Sequence, residues 1–253
     1  MNKTFFPRTF LKDCPIVESA KGVWIKDKEG KEYFDGSSGA IVSNLGHGVE
    51  EIVEAIVSQA RKAAYAHTSQ FWSEPALELT EKLISFAPQN FQDGGRVYLT
   101  SGGSESVETA LKMSRAYFVE KQEEEKHIII TRWNSYHGAS LGALSATGHP
   151  ARRKPYLPIL KEPTLIESNY KYRCKCGFGP GPCEKSECEI ERANDLEAAI
   201  LHYGPANVCA FMAEPIVGAA LGAAVAGGYY RKPVEKICNT HDVLLIVDEG
   251  MGG

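Results

Sequence analysis

The chain has 253 residues, 43% of them hydrophobic and 24% charged, a balance that excludes a disordered or collagen-like polymer. Its 28 Lys and Arg stand against 32 Asp and Glu, a formal charge of −4, which offers no basic surface to a nucleic acid. Pro7, Arg8, Lys12 and Asp13 interrupt the N-terminal apolar residues, and the most apolar stretch, 217–226, is too short to span a bilayer. A cytoplasmic protein without membrane contact is expected.

In chain order, residues 22–35 alternate around Lys28-Glu29-Gly30 and predict a hairpin. Ile52, Val53, Ile56, Val57 and Ala60 have helical spacing, as do Leu77, Leu79, Leu83 and Ile84. A short strand at 96–100, a small-residue loop Ser101-Gly102-Gly103-Ser104 and a helix over 105–120 follow. The apolar runs 127–131, 207–213 and 243–247, the last behind a helix near 232–240, predict buried strands. Such runs alternating with helices imply a mostly parallel, helix-covered α/β sheet. The polar, Gly/Pro- and Cys-rich stretch 161–192 reads as a surface insertion.

Four places can carry chemistry. Gly103 and Ser104 open a helix, where small residues admit an anion and first-turn amides face it. The alternatives for this loop are plain helix capping and a nucleophile elbow built on Ser104, although Ser106 replaces the last glycine of that motif. Tyr136 and His137 follow a strand, where open α/β sheets bind ligands; a packed Tyr beside a surface His is the alternative. Glu214 and Asp248 each end an apolar strand; such an acid can hold a metal, a base or a protonated ring nitrogen, or merely cap a helix. Cys174, Cys176, Cys183 and Cys188 have zinc-like density, but a C-x-C pair is tight for a zinc knuckle, so a reduced, metal-free loop is expected.

Taken together, Asn44-Leu-Gly-His47, the segment from Thr100 to Lys112, Tyr136-His-Gly138, Ala213-Glu-Pro-Ile216 and Val247-Asp-Glu249 resemble the class III (ω-amino acid) aminotransferases of pyridoxal-phosphate fold type I. The resemblance implies a PLP-transferase-like fold, with 1–60 belonging to a small α+β domain and 61–253 to the large cofactor domain. It implies pyridoxal 5'-phosphate as cofactor, its phosphate on Gly103 and Ser104, its ring against Tyr136 with His137 beside it, and its ring nitrogen on Asp248. Glu214 resembles an acid of the same pocket. A carboxylate beside the ring nitrogen favours the protonated, electron-drawing pyridinium.

The resemblance also implies a Schiff-base lysine a few tens of residues beyond the aspartate. No lysine follows Lys236, and the sequence stops five residues after Asp248. The expectation is therefore a C-terminally truncated member with an incomplete fold, no catalytic residue of its own and no activity alone. Without later strands, 243–247 should form an open edge, and Tyr98 and Phe211 should lose cover. Full-length, such a protein is expected to be a homodimer that moves an amino group from an ω-amino acid or amine to a 2-oxo acid. Ala219 stands where the ornithine and 4-aminobutyrate branches have a glutamate, which favours the other branches. The alternatives are a non-catalytic phosphate- or cofactor-binding remnant and a serine hydrolase using Ser104.

Overall fold

A computed structural model describes residues 4–7, 13–174 and 186–253. Two compact units, Met1–Val97 and Tyr98–Gly253, are described separately.

In the first unit, β1 (Val17–Lys21), β2 (Trp24–Asp27) and β3 (Glu32–Phe34) form an antiparallel sheet in that order. The expected hairpin is its β2–β3 half, with Ile25 opposite Tyr33. Asp27 closes the turn: its carboxylate accepts the Glu29 and Lys31 amides at 3.0 and 2.9 Å and the Tyr33 hydroxyl at 2.8 Å. At Gly30, φ is +86°, a conformation that favours glycine. Helices α1 (Glu50–Lys62) and α2 (Glu74–Phe86) match the predicted periodicities. His47 Nε2 lies 3.0 Å from Asp35 Oδ2.

The second unit holds α3 (Gly103–Glu120), β4 (Ile128–Arg132), α4 (Leu141–Ala146), β5 (Thr164–Ile166), α5 (Ser186–Tyr203), β6 (Val208–Ala213), α6 (Arg231–Thr240) and β7 (Leu244–Val247). The four strands make one parallel sheet in the order β5-β4-β6-β7. On one face Ile130, Val208 and Phe211 pack with Leu196 and Ile200 of α5 and with Val234 and Ile237 of α6. On the other, Met212 packs with Val107 of α3 and Ala143 and Ala146 of α4. Both faces of β6 are covered, which is why its sequence is a continuous apolar run. Full burial of each such side chain contributes roughly 1.5–3 kcal/mol.

Three expectations are corrected. Residues 96–100 form no strand: among the described residues they have no neighbouring strand to complete their backbone hydrogen bonds, and Tyr98 is exposed. Phe211 keeps full cover because α5 and α6 close over it, and among the described residues β7 pairs with β6 only. Residues 161–192 are not wholly a surface insertion. They supply edge strand β5 and the first turns of α5, where buried Glu189 meets Lys171 Nζ at 2.7 Å and accepts the Tyr229 amide at 2.7 Å.

Candidate functional site

Parallel pairing brings the carboxyl ends of β4, β6 and β7 to one edge of the sheet, and 135–139, Glu214 and Asp248 emerge there. Helix α3 starts at Gly103 behind an extended Gly102 with no side-chain cap. Its first-turn amides lack intrahelical acceptors and carry the positive end of the helix dipole.

The segment carrying Tyr136 and His137 is tied to each of these elements. The Tyr136 amide donates to Glu214 Oε2 at 2.8 Å, and Glu214 Oε1 accepts the Gly218 amide at 3.2 Å. The Glu214 carbonyl accepts from the buried Arg132 guanidinium. The His137 amide donates to Thr147 Oγ1 at 2.9 Å, and Thr147 Oγ1 donates to the Ala143 carbonyl at 2.9 Å. His137 Nδ1 lies 2.8 Å from Asp248 Oδ2. An ionised carboxylate only accepts, which assigns the shared proton to Nδ1. The His137 side chain is 0% exposed, so the surface-histidine alternative fails. The Ala139 amide donates to Ser104 Oγ at 3.0 Å. At Gly138 φ is +142°, and a Cβ there would stand 2.7 Å from Ser104 Oγ, so glycine is required.

Sequence reasoning misses three participants. Arg132 and Thr147 carry no motif. Glu108 reads in the sequence only as an acid near the start of a helix. Its carboxylate accepts the Ser140 hydroxyl at 2.6 Å and the Gly142 and Ala143 amides at 2.8 and 3.2 Å, capping α4 from a different helix. The Ser140 hydrogen bond, then the two amides and Lys112, hold its carboxyl below the ordinary 4.5 against the opposing effect of burial. A carboxyl depressed by folding contributes stability above its unfolded pKa and loses it as pH falls through the folded one. The parent chain should therefore be more stable than Glu108→Gln above pH 4.5, with the gap closing at lower pH. Denaturant midpoints between about pH 6 and 3 check this, and a pH-independent gap would contradict it.

The residues fit an anionic, planar cofactor. Ser104 Oγ accepts from Ala139 and keeps a proton that it can give to an anion at the α3 N-terminus. Asp248 uses Oδ2 for His137 and Oδ1 for the Gly250 amide, yet its side chain is 20% exposed and can still accept from a ring N–H. Tyr136 is half-buried and offers an aromatic face, with the Arg152 guanidinium 4.3 Å from its ring centre. Of the six residues singled out, Ser104, Tyr136, His137, Glu214 and Asp248 belong to one bonded network, and Gly103 is the first residue of α3. The hydrolase alternative loses its base. Among the described residues no histidine pairs with Ser104: His137 Nδ1 meets Asp248, and its Nε2, the nitrogen that would act as base, is buried without a hydrogen-bond partner and does not reach the Ser104 hydroxyl.

Cys174 and Cys188 line one small cavity with Asn169, Glu189 and Arg192. Cys176 and Cys183 lie outside the described residues. Among the described residues, no three His, Cys, Asp or Glu are grouped to hold a metal ion, and no helix is long and apolar enough to cross a membrane.

Residues 10–253 match the family model described as aminotransferase class-III. The chain is 39% identical over 242 residues to the uncharacterized aminotransferase YodT of Bacillus subtilis, covering 94% of this chain and 52% of that protein. It is 33% identical over 244 residues to the putrescine–pyruvate aminotransferase of Pseudomonas aeruginosa, covering 96% of this chain and 51% of that one. The crystal structure of an omega transaminase from Pseudomonas jessenii in complex with PMP superposes with a TM-score of 0.85 at 28% identity, over 96% of this chain and 53% of that one. The chain thus spans about half the length of the curated relatives it matches.

Proposed function

We propose a function for a chain that belongs to the class III aminotransferase family: it is the cofactor-holding portion of a pyridoxal-phosphate-dependent transaminase acting on an ω-amino acid or amine and a 2-oxo acid. The observation that carries the reading is the network joining the α3 N-terminus, Tyr136, Glu214, His137 and Asp248 at one sheet edge. Relatives named for transamination of putrescine and for omega-transaminase activity support the substrate class, as does Ala219.

When bound, the cofactor supplies an electron sink for breaking a C–H bond at the amine-bearing carbon. The chain's own residues would hold it: Gly103, Ser104 and the first-turn amides of α3 would bind the phosphate, Tyr136 would lie against the ring, and Asp248 would keep a proton on the ring nitrogen. His137 fixes the carboxylate's orientation from behind, and Glu214 holds the Tyr136 backbone in place. We retain 1–60 as part of a small domain and 61–253 as part of the large one, with a cytoplasmic homodimer as the complete assembly.

Within residues 1–253 no lysine follows Lys236, which lies on α6 ahead of β7, so this stretch holds no lysine beyond Asp248 to join the cofactor. Pyridoxamine phosphate, which carries no aldehyde, should bind reversibly and compete with inorganic phosphate. Pyridoxal phosphate followed by borohydride should leave only scattered surface adducts. A single stoichiometric pyridoxyl-lysine would refute the missing-lysine assignment, and failure of pyridoxamine phosphate to bind would refute the cofactor reading.

The thiol-rich stretch is proposed to be reduced and metal-free. Protein purified without chelators should carry well under one zinc per chain. Stoichiometric zinc that disappears in Cys174→Ser and Cys183→Ser would overturn this.

A further inference from the structure

We propose that Glu108 is a positioning residue for the cofactor site, holding the segment that carries Tyr136 and His137 against the phosphate-binding helix. The inference rests on the cofactor reading above.

Ser104 and Glu108 are four residues apart on α3, so they lie one turn apart on the same face. Both grip the chain immediately after His137. Ser104 Oγ accepts the Ala139 amide at 3.0 Å, and Glu108 Oε1 accepts the Ser140 hydroxyl and the Gly142 and Ala143 amides at 2.6, 2.8 and 3.2 Å. The fit leaves no slack. A Cβ at Gly142 would run into the Glu108 carboxylate, and one at Gly138 would meet Ser104 Oγ and Ala143 Cβ at 2.7 and 2.8 Å. Residues 138–143 are thereby seated at two points on the helix whose first turn faces the anion.

This seat fixes the spacing between the two binding elements. Tyr136 and His137 are otherwise held by Glu214, Thr147 and Asp248, which sit at or near the sheet edge rather than on α3. Without the Glu108 carboxylate, the only polar tie left among the described residues between the start of α3 and this segment is the Ser104 hydroxyl, on which the phosphate also draws, beside the non-directional apolar contact of Val107 with Ala143 and Ala146. A rigid ligand that must touch both elements loses affinity when their separation is no longer fixed.

The test uses the chain itself, with pyridoxamine phosphate as the probe and amide hydrogen exchange as a second readout. Glu108→Ala should raise exchange at 139–143 while leaving β6 protected, and should weaken pyridoxamine phosphate binding by about tenfold or more, although Glu108 does not touch the ligand. Glu108→Gln keeps an acceptor oxygen and should stay within about threefold of the parent. Gly142→Ala, which crowds the carboxylate without removing it, should weaken binding in the same direction as Glu108→Ala.

If Glu108→Ala loosens 139–143 but binds like the parent, the residue is only a helix cap and the proposal fails. Unchanged exchange in Glu108→Ala also overturns it, because the seat is then not made in solution. A parent chain that leaves pyridoxamine phosphate unbound brings down the cofactor reading first and this inference with it.

Discussion

Glu214→Ala is expected to destabilise the Tyr98–Gly253 unit by about 2–5 kcal/mol, through two amides that lose their acceptor at a buried position. Glu214 is 5% exposed, and its two carboxylate oxygens serve Tyr136 and Gly218 separately. Water cannot easily replace it, because the Arg132 guanidinium is packed against the carbonyl of the same residue. Glu214→Gln retains one oxygen acceptor, so its loss should be smaller, roughly 1–2 kcal/mol, since only one N–H is left facing an amide nitrogen. Denaturant midpoints at constant m-value measure both. An alanine variant as stable as the parent would mean that Tyr136 and Gly218 find other partners, and the clamp assigned to Glu214 would have to be abandoned.

Where both faces of an element are buried, the sequence makes it plain. The run ending at Ala213 is apolar at successive positions because helices cover both sides of the sheet there, the shorter apolar runs ending at Ile130 and Val247 flank it, and the carboxyl ends of all three strands point to the edge where Tyr136, His137, Glu214 and Asp248 lie. Strand β5 escapes notice because three residues, Thr164-Leu-Ile166, are too few to show a period, and only Ile166 is fully buried. The segment 96–100 misleads in the opposite way, since a strand is a property of a pair and its sequence shows one member only. Glu108 and Thr147 are illegible for a third reason. Their partners lie 32–35 and 10 residues away, and nothing in a helix's own pattern reveals that one of its acids caps another helix. His137 resembles a surface residue because a histidine's burial depends on a partner, here Asp248, 111 positions later.

Asp248→Asn and Ser104→Ala should separate the two ends of the cofactor site in a crossed binding experiment. Three ligands are compared: pyridoxamine phosphate, its analogue with carbon in place of the ring nitrogen, and pyridoxamine without phosphate. The introduced amide is close in size to the carboxylate and still offers an oxygen to His137, so the scaffold should survive, but the negative charge facing the ring nitrogen is gone. A hydrogen bond to a charged group contributes about 1.5–3 kcal/mol, which predicts roughly 10- to 150-fold weaker pyridoxamine phosphate binding. The same substitution should leave the carbon analogue almost unaffected, because that ligand has no ring N–H to present. Ser104→Ala should act at the other end. The amides of α3 remain, so loss of one hydroxyl should weaken pyridoxamine phosphate less than the aspartate change does. It should also weaken phosphate-free pyridoxamine slightly, because the hydroxyl additionally accepts the Ala139 amide behind His137. If Asp248→Asn weakened the carbon analogue as much as pyridoxamine phosphate, the carboxylate would be holding structure and not the ring nitrogen. If Ser104→Ala weakened pyridoxamine as much as its phosphate ester, the hydroxyl would serve only Ala139, and the phosphate would have to be held by the helix amides alone.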